Sequence, residues 1–132
     1  MSTFRLFVIA AMLVVTSSAP AAAAESAAKK SAANGVTVAV TPNLSGAQTW
    51  VFKIVLDTHT QELSDDLMKT AVLVDSSGNR HSPTAWEGAA PGGHHREGVL
   101  RFATIAPAPA FIELEIRRPK ETAPRLFRWQ LQ

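Results

Sequence analysis

Between Trp50 and Asp57 apolar side chains fall on every second position, and this alternation constrains the fold more than any other feature of the chain. Trp50, Phe52, Ile54 and Leu56 face one way; Val51, Lys53, Val55 and Asp57 face the other. A period of two is the side-chain period of a β-strand, and a strand so apolar on one side predicts a central place in a sheet. The same period recurs along the chain. Val36, Val38 and Val40 alternate with Thr37, Ala39 and Thr41 until Pro42 stops the run. Thr70 to Asp75 predicts a third strand, followed by the turn residues Ser76-Ser77-Gly78-Asn79. Arg80 to Trp86 predicts a fourth, shortened or placed at an edge by Pro83. Val99 to Thr104, Phe111 to Ile116, and the alternation of Phe127, Trp129 and Leu131 complete the series. Between the second and third strands, Leu63 and Leu67–Met68 are read as inward anchors, with room for a helical turn. Seven short strands separated by turns, in roughly 100 residues, predict an all-β, seven-stranded immunoglobulin-like antiparallel β-sandwich without disulfides. A β-barrel is the alternative architecture.

No cysteine occurs anywhere. Disulfides, thiolate metal sites, a cysteine nucleophile and a lipid-anchored cysteine terminus are therefore excluded, and the core alone must hold the domain. The chain opens with Arg5 and an apolar run from Leu6 to Val15. That run is short of the roughly 20 residues a membrane helix needs. Small residues follow, and Ala22-Ala23-Ala24 before Glu25 suits signal-peptide cleavage. Residues 1–24 are read as a signal peptide, which predicts a periplasmic or secreted protein with no membrane span after cleavage; an uncleaved anchor is the alternative. Residues 25–34, rich in Ala, Ser and Lys, are read as a disordered spacer, and 35–132 as one β-sandwich domain. Without Arg5, twelve basic side chains stand against eleven acidic ones. No basic stripe appears, which argues against a nucleic-acid partner.

The four histidines are sorted by topology. In a seven-stranded antiparallel chain, successive connections alternate between the two ends. The connections at 58–69, 87–98 and 117–124 therefore share one pole, which gathers His59, His94, His95, Asp65 and Asp66, with Arg117, Arg118 and Lys120 beside them. His81 falls near the opposite end. Imidazoles and carboxylates bind zinc and copper, and a loop reading Pro91-Gly92-Gly93-His94-His95-Arg96-Glu97-Gly98 can fold tightly enough to present ligands. The expectation is a Zn(II) or Cu(II) site on these five residues. Cu(I) is disfavoured, because Met68 is the one methionine beyond the signal segment. The competing reading makes the same residues loop structure: His59 capping the end of its strand through Thr58 and Asp57, Asp65 as an N-cap for a turn at Asp66, His94 and His95 bonded to loop carbonyls, and Arg96 paired with Glu87 or Glu97. A third assigns the pole to an organic ligand or an envelope protein, the latter also able to use a sheet edge. No nucleophile-elbow motif is present, so no catalytic residue is assigned.

Several segments also carry a resemblance. The run Trp50-Val51-Phe52-Lys53-Ile54-Val55-Leu56-Asp57-Thr58-His59, then Asp65-Asp66-Leu67, Trp86-Glu87-Gly88, Gly92-Gly93-His94-His95-Arg96-Glu97-Gly98 and Phe127-Arg128-Trp129 resembles a group of small uncharacterised exported bacterial proteins. The Gly-Gly-His-His-Arg segment is its most specific part. The resemblance implies one domain with a recurrent loop site and assigns it no activity. Thr60 departs mildly from the serine expected after Thr58-His59.

Overall fold

The computed structural model describes residues 27–132. The signal peptide read at 1–24 and the first residues of the spacer lie outside the described residues. In chain order the strands are β1 (Lys29–Ala33), β2 (Val36–Asn43), β3 (Thr49–Thr58), β4 (Ala71–Asp75), β5 (Arg80–His81), β6 (Ala85–Gly88), β7 (His95–Ala103), β8 (Phe111–Ile116) and β9 (Arg125–Gln130), and a single-turn helix, α1 (Leu67–Thr70), leads into β4. They build two antiparallel sheets, ordered β1-β2-β3-β7-β6 and β5-β4-β8-β9. The all-β, two-sheet expectation is met. The expected count of seven strands is corrected to nine among the described residues.

The inward positions of the alternating runs form one core. Val38, Phe52, Ile54, Leu56, Leu100 and Phe102 from the first sheet meet Leu73, Ile112, Leu114, Phe127 and Trp129 from the second. Phe52 joins the two layers: its ring lies 5.5 Å from Phe102 at 84° and 5.7 Å from Trp129. Burying each such side chain contributes roughly 1.5–3 kcal/mol. Leu63 and Leu67 are buried at the loop end, whereas Met68 is exposed.

The strand boundaries differ from expectation for local reasons. Lys29–Ala33, read as part of a disordered spacer, pair with β2 as an edge strand. Asn34 (φ 51°) and Gly35 (φ 76°) form the two-residue turn between them, and an Asn-Gly pair with both residues at positive φ is the favoured hairpin connection. Turn chemistry thus outweighs the weak strand propensity of Ala, Ser and Lys. The segment expected as one strand over 80–86 divides, with β5 in one sheet and β6 in the other. Buried Pro83 lies at the crossing, where no ladder donor is needed. Pro42 does not end β2; it pairs opposite Phe52, past Val40, where β1 has already ended. Finally, β7 begins at His95, so the second half of the expected 87–98 loop is strand.

Candidate functional site at the loop pole

Three connections and the β1–β2 turn meet at one end of the sandwich. The stretch after β3 and the stretch before β7 are joined backbone to backbone. Thr58 N–H donates to the His94 carbonyl at 2.9 Å, Leu63 N–H to the Gly93 carbonyl at 2.9 Å, and Gly92 N–H to the Leu63 carbonyl at 2.7 Å. Gly92 (φ 123°) and Gly93 (φ 73°) supply the positive-φ backbone this path requires.

Arginines hold the connections from inside. Arg96 occupies an inward position of β7 and is buried. Its guanidinium donates to the carbonyls of Asp65 at 2.7 Å, Leu63 at 3.4 Å and Ala89 at 3.2 Å. It lies 5.6 Å from the centre of the Trp86 ring, a cation–π contact. Arg118 grips Asp65 through two parallel bonds, Nε to Oδ2 at 3.0 Å and Nη2 to Oδ1 at 3.1 Å. The two side chains are 2% and 0% exposed. Arg118 Nη1 stands 3.9 Å from Glu121, and Glu121 accepts from Arg125 Nε at 2.9 Å and Nη2 at 2.6 Å. Arg125 also donates to the carbonyls of Ser31, Ala33 and Val36 at 2.8, 2.8 and 3.2 Å. The line Arg96–Asp65–Arg118–Glu121–Arg125 therefore ties β7, the two long connections, β9 and the β1–β2 hairpin together.

The five expected metal ligands are brought to this pole but not to one point. Among the described residues, no three His, Asp or Glu side chains converge as a metal-ligand group. Asp65 faces inward with both carboxylate oxygens on Arg118. It is not the N-cap of α1; that position belongs to Asp66, which makes no side-chain capping bond and lies 3.7 Å from Lys69. His59 and His94 are exposed, and His94 contributes its backbone carbonyl. His95 points outward on β7 opposite Asp57. Its Nδ1 is 2.5 Å from Asp57 and its Nε2 is 3.6 Å from Glu97, which in turn pairs with Lys53 at 2.7 Å. The bond and charge of Asp57, then Glu97, raise the His95 pKa above its ordinary 6.5. His81 lies elsewhere, 2.9 Å from Asp75, and chiefly holds that carboxyl down at about 2, with help from Ser77 and Asn79. The expected Arg96 pairing with Glu87 or Glu97 is also absent: Glu87 bonds Arg101 at 3.0 Å, and Glu97 bonds Lys53.

An open cleft of about 570 Å³ lies over the Arg118–Asp65 pair, walled by the β1–β2 turn, residues 60–64 and residues 118–121. Sequence reading named Arg118 and Lys120 as neighbours of a site but missed the inward roles of Arg96, Glu121 and Arg125. Two of them carried a signal. Period two, read back from Phe102 and Leu100, passes through Gly98 to Arg96, and read back from Trp129 and Phe127 it reaches Arg125. Comparison with protein-family models, curated proteins and solved structures finds no match to this chain.

Proposed function

We propose that the chain is an exported binding module in which an immunoglobulin-like sandwich carries a polar recognition cleft at its loop pole. The strand order supports the immunoglobulin-like reading. β2, β3, β7 and β6 follow the neighbour order of the four-stranded sheet of that fold, and β4, β8 and β9 that of its three-stranded sheet. β1 is then an added edge strand and β5 a short strand beside β4. Placing binding residues on loops fixed to a rigid sandwich is how such scaffolds commonly present a site. Export rests on the leader-like composition of residues 1–24.

The observation that carries this reading is the cleft itself: a concave, polar surface seated on side chains that cannot easily move. Arg118 lines it while held by two bonds to Asp65. No metal enters this reading, because Asp65 is committed to Arg118 and the exposed histidines do not converge.

The test is a spectral map. The mature chain, labelled with 15N, is titrated at millimolar concentrations with amino acids, short peptides, sugars and inorganic anions. Shifts confined to residues 60–64 and 118–121 are expected for at least one class. Shifts scattered over the sheet faces, or no shift with any class, would refute the reading.

A further inference from the structure

The geometry points to a zwitterionic ligand of the amino-acid and short-peptide class as the occupant of the loop-pole cleft, an inference that rests on the binding-module reading above. The charges on the cleft wall decide the class. Arg118 is matched by Asp65 below the floor, and Glu121 is matched by Arg125. Two charged groups on the wall remain. Glu62 and Lys120, each exposed, have no ion-pair partner among the described residues, and they stand on different connections. The cleft thus offers one anionic and one cationic attachment point.

Arg118 adds direction. Its Nε and Nη2 are spent on Asp65. Nη1, 3.9 Å from the nearest carboxylate oxygen of Glu121, makes no hydrogen bond among the described residues, although the side chain is 2% exposed. A buried guanidinium with an unused N–H is a strong donor toward a carboxylate, and Lys120 lies two residues along the same connection. Glu62 supplies the counterpart for an ammonium. Asn34, Gln61 and Ser64 also line the cleft and offer amide and hydroxyl groups that pair with a peptide backbone, although the Gln61 amide nitrogen already donates to the Asn34 carbonyl.

Other ligand classes fit less well. A phosphate or sulfate would meet Glu62, the unpaired anion of the wall, as a like charge and leave it without a partner. A sugar would lack the aromatic platform on which rings stack, because no aromatic residue among the described residues lines the cleft and the Trp86 ring is committed to Gly98 and Arg96. The volume falls in the range of small-molecule sites.

The experiment follows amide shifts of residues 60–64 and 118–121 in the 15N-labelled mature chain. The probes are tri-alanine with free termini, its N-acetylated form, its C-amidated form, glucose and inorganic phosphate. Free tri-alanine is expected to bind, and capping either end to weaken it about tenfold or more. Glu62→Gln is expected to remove the preference for a free amino end only. Lys120→Asn, which suits the positive φ of 65° there, is expected to remove the preference for a free carboxylate only. Both positions are exposed, so folding is kept. If capped and free peptides bind alike, or if glucose or phosphate moves the same residues and tri-alanine does not, the ligand class is wrong while the binding module stands. If no probe moves the pole, both fail.

Discussion

Removing the Asp65 carboxylate leaves the Arg118 guanidinium buried with its Nε and Nη2 donors unmet. Breaking a buried ion pair from one side costs about 3–5 kcal/mol, while replacing both partners by apolar groups of similar volume is often neutral. Asp65→Ala is therefore expected to lower the urea midpoint by that equivalent, and the Asp65→Leu/Arg118→Met double variant to recover most of it. Equal losses in the single and double variants would show that the pair is not the source. His95 behaves differently, because it is exposed. Its pKa is raised, chiefly by Asp57, so the imidazolium is favoured in the folded chain. That contribution is fully present below 6.5 and is lost as pH rises through the folded value. An NMR titration should place His95 above 6.5 and Asp57→Asn should bring it back toward 6.5; an unshifted His95 in the unmodified chain would rule the contact out. Asp75 has the opposite sign. Held at about 2 from an ordinary 3.8, it stabilises the β4–β5 turn above 3.8 and ceases to as pH falls toward 2. That Asp65 and Arg118 share a pole was legible from counting connections, but their pairing was not, because they stand 53 residues apart on two different loops. Asp57 and His95 are 38 residues apart and meet only because strand register sets β3 against β7.

At the scale of elements, strand existence was legible and strand ends were not. Alternation carries existence, because a run such as Phe52, Ile54 and Leu56 has one face that must leave water. The ends depend on turn chemistry and on neighbours. Asn34-Gly35 was a readable hairpin turn, but the Ala- and Lys-rich residues before it hid the strand that it creates. The His95–Gly98 half of β7 was masked for another reason: its inward residues are Arg96 and Gly98, not apolar ones. Gly98 has a structural purpose. A Cβ there would lie 2.5 Å from the Trp86 ring and 2.9 Å from the Glu87 carbonyl, so the ring lies over the bare backbone of β7. Gly98→Ala is expected to push the ring aside, weaken the β6–β7 pairing and destabilise the fold by about 1–3 kcal/mol, the usual range for overpacking. Tryptophan fluorescence would register the displaced ring together with the lower midpoint. A variant with unchanged emission and stability would mean that Trp86 does not rest there.

For the molecule as a whole, the pole was found by counting connections even though the strand count was short by two. The reason is parity. β1 adds a strand ahead of all the others, and the chain over 80–88 still crosses the sandwich once, although it changes sheets near Pro83. The connections after β3, before β7 and after β8 therefore stay at one end, as their mutual hydrogen bonds require. What counting cannot supply is the side of the backbone on which each side chain falls. A one-residue shift reverses it, and it sends Asp65 and Arg96 inward and His95 outward. The five expected ligands are consequently split between the interior (Asp65), the N-cap of α1 (Asp66), the outer face of the sheet (His95) and two exposed loop positions (His59 and His94). A zinc or copper ion at 2.0–2.3 Å from each ligand would have to draw Asp65 off Arg118 or reorient exposed histidines from separate segments. Calorimetric titration of untagged residues 25–132 with Zn(II) is therefore expected to give no saturable one-equivalent binding at micromolar affinity, and His94→Ala/His95→Ala the same baseline. Tight stoichiometric binding lost in that double variant would mean that the exposed histidines gather around an ion, and that the pole is a metal site whose ligands assemble only when the metal arrives.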